Sequence, residues 1–215
     1  MEYAVTRLPE GCGAYELSGG FDPAHLPAPW KDTGRADIMD YPWISAYPAH
    51  YEAAAHLGIN SSGLRLLMYA YEEAISARET RFGGSVCRDS CLEFFFMPFP
   101  KSDRRYLNIE INPAGTAHVG IGEGRPGRKV FYAPVPGMTI RTFVKDGSFW
   151  ALSAEIPADF VRAEFGAFPQ AGDVMKGNFY KCSEDIHEHY GVWAHVGTPA
   201  PDFHTPEYFG DLLIL

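Results

Sequence analysis

The sequence contains no apolar run approaching the roughly 18 residues of a membrane-spanning helix. Its opening, MEYAVTRLPE, lacks the basic-then-apolar layout of a secretory signal. A soluble, non-exported and by default cytoplasmic chain is therefore expected. Basic residues are scarce and dispersed: 18 Lys and Arg stand against 27 Asp and Glu, a net charge of −9. That balance argues against a nucleic-acid surface and against attraction to anionic membranes. Repeats and low-complexity tracts are missing as well, so arrays and disorder are excluded. Cysteines number four, Cys12, Cys87, Cys91 and Cys182, with no C-x-x-C pair, so a structural zinc site is not expected. Cys87 and Cys91 would lie about 13 Å apart in an extended chain, too far to bridge. Buried free thiols are the ordinary reading, and a Cys91–Cys182 disulfide is the sharper alternative.

What is present is enough for one folded domain over residues 1–215, with 46% apolar and 14% aromatic residues. The chain is organised around Ser85–Gly120. In Tyr106–Asn112, Leu107, Ile109 and Ile111 alternate with Tyr106, Asn108, Glu110 and Asn112, the pattern of a strand with one apolar face and one exposed polar face. Cys91–Phe96 is denser in aromatics, as a central strand covered on both sides would be, yet carries Glu93 in its middle. Buried there, Glu93 needs a partner such as backbone, Arg88 or a ligand. Asn112-Pro-Ala-Gly115 supplies a turn, and Thr116–Ile121 returns.

Met1–Leu8 reads as an edge strand. Phe21–Pro48 holds five prolines with Trp30, Tyr41, Trp43 and Tyr47, an ordered loop whose aromatics either cap a core or line a binding surface. Tyr51–Leu57 and Leu64–Tyr71 flank the turn residues Asn60–Gly63 and read as a hairpin. Lys129–Ala133 is a further strand. Asp146-Gly147 joins Thr139–Lys145 to Ser148–Ile156, the strongest hairpin signal in the chain. Pro157 ends that arm, and a short helix fits Ala158–Phe165 before Gly166. Asn178–Cys182, Val192–Val196 and Leu212–Leu215 complete about ten strands. An antiparallel β-sandwich with one short helix is the expected fold, which by itself assigns no activity.

Five segments occur in order: Asp89-Ser-Cys-Leu-Glu-Phe-Phe-Phe, Tyr106-Leu-Asn-Ile-Glu-Ile-Asn-Pro-Ala-Gly, Phe149-Trp-Ala-Leu-Ser-Ala-Glu-Ile-Pro, Gly177-Asn-Phe-Tyr-Lys-Cys and Pro201-Asp-Phe-His-Thr-Pro-Glu-Tyr-Phe-Gly. Together, over residues 49–215, they resemble the family 9 carbohydrate-binding modules, in particular the branch with the Asn-Phe-Tyr-Lys-Cys motif. The resemblance implies a DOMON-like sandwich that binds a saccharide without catalysis and needs no cofactor. It further implies a clamp of two tryptophans, whose positions fall here at Cys87 (Val86 if the register slips by one) and at Phe203. The clamp's polar groups fall at Glu93, Glu110 and Asn112. Trp43, Tyr47 or Tyr180 are the aromatics available to replace the missing wall. Structural calcium, another family trait, would fall near Asp89, Asp103 and Glu123. A carbohydrate-active enzyme is the implied partner, since such modules act through tethering.

Rival chemistries remain open at this stage. Glu93 and Glu110, on neighbouring strands, are the pair a glycoside hydrolase would use. His187 and His189, with Asp185 or His204, would be the ligands of a hydrolytic metal centre. Haem would need an axial group such as Met68 or Met97 in a deep apolar pocket, and nothing pairs with either. A sandwich that has lost its sugar site and binds protein is the third class.

Overall fold

The computed structural model describes all 215 residues, Met1–Leu215. In chain order its strands are β1 (Glu2–Arg7), β2 (Ala36–Ile38), β3 (Ala53–Asn60), β4 (Gly63–Tyr71), β5 (Cys91–Met97), β6 (Tyr106–Ile111), β7 (Ala117–Gly122), β8 (Lys129–Phe131), β9 (Thr139–Lys145) and β10 (Phe149–Pro157). After helix α1 (Ala158–Phe165) come β11 (Val174–Ser183), β12 (His189–Val192) and β13 (Gly210–Ile214). Local chemistry explains the boundaries. Asp146 and Gly147 both have positive φ, 52° and 67°, so the β9–β10 turn twists with its strands. Gly166 closes α1 in the left-handed region at φ 83°.

The strands run β8-β7-β6-β5-β11-β13-β1 in one layer and β1-β3-β4-β10-β9 in the other, with β12 beside β11 and β2 beside β3. β1 belongs to both layers. Its residues Glu2–Val5 pair with Asp211–Ile214, then Thr6 and Arg7 pair with Gly58 and Ile59, and both pairings are parallel. The expected edge strand is thus an interior one that carries the chain from layer to layer, and the rest of the sandwich is antiparallel. Val192–Val196 also differs from expectation: β12 ends at Val192, and Trp193 leaves the sheet to pack on Tyr3 and Phe179.

Period-two alternation sends Leu92, Phe94 and Phe96 of β5, Leu107, Ile109 and Ile111 of β6, and Trp150, Leu152, Ala154 and Ile156 of β10 into one core between the layers. Each outer face carries a smaller apolar cluster. Phe21 and Trp30 cover Tyr69 and Phe149 on one side, and on the other Trp43, Phe203 and Phe209 cover Phe95, Tyr106 and Tyr180. The polar face of β6 is therefore not exposed. Tyr106, Asn108, Glu110 and Asn112 are all buried, because proline-rich and turn-rich loops fold over that face.

The motif Asn178–Cys182 ties these parts together. Asn178 bonds both the N–H and the C=O of Ala194, each at 2.8 Å, holding the chain after β12. Phe179 enters the core and Tyr180 the outer cluster. Lys181, fully buried, forms an ion pair with Glu72 Oε2 at 3.0 Å and hydrogen-bonds to His189 Nε2 at 2.8 Å and its neighbour's carbonyl at 3.0 Å. Glu72 in turn accepts from Trp150 Nε1 at 2.7 Å and from the Ser90 hydroxyl. The ammonium thus has a counter-charge and two hydrogen bonds, as a buried charge demands. Lys181→Met would leave the buried Glu72 without its cation. The expected loss is about 3–5 kcal/mol in urea unfolding, with the Lys181→Met/Glu72→Gln double variant losing less than the two single variants combined.

Candidate functional site

On the outer face of the β5–β6–β11 layer, alternation presents Cys91, Glu93 and Phe95 beside Asn108 and Glu110, with Tyr180 and Cys182 from β11. Register sets the pairs: Glu93 lies opposite Glu110 on one side and Tyr180 on the other, and Cys91 lies opposite Cys182. The covering loops leave a cavity of about 410 Å³ over this patch. Its floor is Glu93, Phe95, Glu110 and Cys182, while loops and β12 contribute Cys87, Glu184, Tyr190, Arg125 and the run Pro201–His204.

Charge in the cavity is unbalanced. Burial, reinforced by Glu110, pushes the Glu93 carboxyl well above its ordinary value. Burial also raises Glu110, opposed by His118, by a 2.7 Å bond from Asn108 Nδ2 and by Arg128. Neither carboxyl forms an ion pair. The nearby cations are engaged elsewhere: Arg125 with Asp202 at 2.8 Å, Arg88 with Asp185 at 3.0 Å, and Arg128 with Asn108 Oδ1 while stacked 4.3 Å over the Tyr106 ring. Glu93 instead accepts a bond from the Cys182 thiol at 3.0 Å, so Arg88 is not its partner.

Four of the residues singled out from the sequence meet here: Cys87, Glu93, Glu110 and Phe203. Cys87, not Val86, is the one that faces the cavity, since Val86 is fully buried. Phe203 lines it while only 7% exposed, with one face stacked on Tyr180 at 4.1 Å and 11°. Asn112 does not take part. Its Nδ2 donates to Asp89 and to the Glu79 carbonyl, and its Oδ1 accepts from the Ala114 and Thr116 amides, so it locks the β6–β7 turn.

None of the substitutes for the missing wall lines the cavity. Trp43 is buried with its Nε1 on the Thr198 carbonyl, Tyr47 packs on Tyr190, and Tyr180 lies beneath Phe203. The aromatic that does line it is half-buried Tyr190, from a histidine-rich stretch with no strand signal of its own. Cys182, Arg125 and Asp202 are likewise additions to the expected site, and His204, expected only as a metal ligand, lines the cavity. For Cys182 a signal exists, since it shares a strand face with Tyr180.

Asp89, Asp103 and Glu123 do not fit a calcium ion. Burial would raise Asp89, but bonds from the Arg78 and Glu79 amides, Ser76 and Asn112 outweigh it and occupy both oxygens. Asp103 is held by Arg105 at 2.6 Å, and Glu123 stands on an exposed loop. Nor do the late histidines converge. His187 bonds Tyr51, His189 bonds Lys181, His195 bonds Asp40, and His204 bonds the Tyr106 hydroxyl at 2.8 Å. All four cysteines are free thiols.

Burial, with Arg128 and Arg125 nearby, depresses His204 to about 3, and burial depresses His56 to about 4. Both are uncharged in the fold and take up a proton on unfolding near the ordinary 6.5. Their stabilisation is full above pH 6.5 and is lost as pH falls from there through the folded values. His204→Gln is expected to flatten the decline of urea-unfolding free energy between pH 6.5 and 4, whatever its effect at pH 7.

A family model described as carbohydrate-binding family 9 matches residues 37–214. Among curated proteins none matches the chain. A Bacteroides uniformis protein proposed to bind carbohydrate superposes with a TM-score of 0.80 at 24% identity, over 100% of this chain and 99% of its own. Two structures of a family 9 carbohydrate-binding module from Caldicellulosiruptor kristjanssonii, one with glucose and one with cellotriose, superpose with TM-scores of 0.66 and 0.65. Both are 11% identical and cover all of this chain and 96% and 93% of theirs.

Proposed function

We propose, from the premise that this chain belongs to carbohydrate-binding family 9, that it holds a saccharide non-covalently in the cavity between Cys87 and Phe203. The supporting observation is a concavity that sets the rings of Phe203 and Tyr190 beside the carboxyls of Glu93, Glu110 and Asp202. Sugar C–H faces pack on aromatic rings, and hydroxyls removed from water need acceptors and donors. A carboxylate accepts such protons, and a carboxyl that stays protonated also donates one. The volume lies within the ~300–1,000 Å³ usual for small-molecule sites.

The site differs from a two-tryptophan clamp in a definite way. With a thiol at position 87, a sugar ring stacks on one side only. Its other contacts are polar, which places more of the selectivity on hydroxyl geometry and less on stacking. Such an arrangement suits one or two sugar units inside a pocket better than a long chain laid across a flat face.

Isothermal calorimetry with glucose and cellotriose, extended by a glycan array, tests this. Tyr190→Ala is expected to weaken binding about tenfold, the equivalent of about 1.4 kcal/mol of stacking and burial. Glu110→Gln should alter which sugars bind, with folding retained. Assayed in the same samples, reducing-end release is expected to be nil. Release from wild type would favour the hydrolase reading of Glu93 and Glu110. No binding to any glycan would favour a protein-interaction sandwich.

A further inference from the structure

We infer that Cys91, Cys182 and Glu93 form a site for a divalent cation of the zinc class just beneath the floor of the cavity. One ligand atom from each, the two Sγ atoms and a Glu93 carboxylate oxygen, lie within 4.8 Å of one another, and all three residues are buried. In a tetrahedral zinc site with Zn–S bonds of ~2.3 Å, two sulfurs stand about 3.7 Å apart. The upper bound of 4.8 Å on the ligand-atom separations exceeds that value by about 1 Å.

Two observations beyond proximity point to a cation. Glu93 is 2% exposed, aims into the cavity and has no cationic partner; its protein donor is the Cys182 thiol, itself an acid. Glu110 stands directly across from it. A patch of two carboxyls and two thiols, with the surrounding arginines paired elsewhere, has no counter-ion of its own and holds protons whose place a bound divalent ion would take. The donor set selects the metal. Thiolates favour zinc and its softer neighbours, whereas calcium and magnesium require oxygen ligands throughout. Three protein ligands would leave a fourth position, and the cavity, with Cys87 on its wall, is where it opens.

Linear spacing hides such a site. Its ligands come from neighbouring strands, paired across the sheet at Cys91 opposite Cys182, and not from a C-x-x-C turn. On binding, the two thiols, and the Glu93 carboxyl where it is protonated, release their protons to solvent as the metal–sulfur and metal–oxygen bonds form, so the ion exchanges for protons and no oxidant is involved. The inference does not depend on a saccharide, and its test contains none.

The experiment is a titration of the reduced, chelator-stripped full chain with Co²⁺, followed by displacement with Zn²⁺. One equivalent of Co²⁺ should produce thiolate-to-cobalt charge-transfer absorption, which Zn²⁺ abolishes. Zn²⁺ should also raise the melting temperature of the wild type. Cys182→Ser should lose the absorption, Glu93→Gln should weaken Co²⁺ binding by tenfold or more, and Cys12→Ser should match the wild type. Urea midpoints of the metal-free variants verify that each is folded, and Glu93→Gln carries the test if Cys182→Ser is not. Absence of the absorption in wild type, or full intensity in folded Cys182→Ser, overturns the proposal. Finding two thiols in place of four in the unfolded, non-reduced protein also overturns it, since Cys91 and Cys182 would then be bonded to each other.

Discussion

A single buried ammonium constrains this fold more than any other polar group. Lys181 reaches from β11 toward the end of β4, where Glu72 already holds Trp150 of β10 and Ser90 ahead of β5. Four segments from both layers thus meet on two charges. A one-residue slip along β11 would turn its apolar face away from the core, and the desolvated ion pair adds a second penalty, because a displaced partner leaves a naked charge. Its consequence reaches the cavity directly. With Lys181 fixed, Tyr180 and Cys182 on the opposite face of β11 are fixed too, one beneath Phe203 and the other against Glu93.

The cavity face shows the reverse economy. Where the core satisfies its charges, the floor of the pocket gathers acids without bases. Proteins keep such deficits where a ligand supplies what is missing, and each feature of this pocket bears on that: unpaired carboxyls for hydroxyls or a cation, thiols for a soft ion, rings for a sugar face. Asp89 makes the contrast plain. Buried to a similar degree, it has four donors arranged around it and holds the β6–β7 turn through Asn112, and nothing about it asks for a ligand.

Most of the strand framework was legible in the linear chain because its signals are local. Asp146-Gly147, Asn60–Gly63 and the alternation of Trp150–Ile156 each specify a hairpin or a face within a few residues. Helix α1 was legible to the residue from Pro157 and Gly166. The parallel role of β1 was not, since nothing in EYAVTR distinguishes an edge strand from one paired on both sides. The polar face of β6 was misread for a related reason: alternation tells which residues share a face, but not whether loops 100 residues away fold over it. Of the site, Glu93 was legible as a carboxylate out of place in an aromatic strand. Asn112 looked equivalent to Glu110 on the same face, yet one residue beyond the strand's end sufficed to turn its amide into the turn. Tyr190 comes from the short strand β12 and Arg125 and His204 from loops, and only the tertiary structure reveals that their paths meet.

The double pairing of β1 has a consequence for how the molecule comes into being. Tyr3 and Val5 lie beside Leu212 and Ile214, so nearly the whole sequence separates the strands that join the two layers. Hairpins such as β3–β4 and β9–β10 can close as soon as they are made. The seam between the layers cannot, because β13 is made long after β1. Until β13 arrives, one edge of β1 and the neighbouring edge of β11 stand open, and the apolar core behind them is unsealed. The sandwich is thus closed in time as it is in space, by β13.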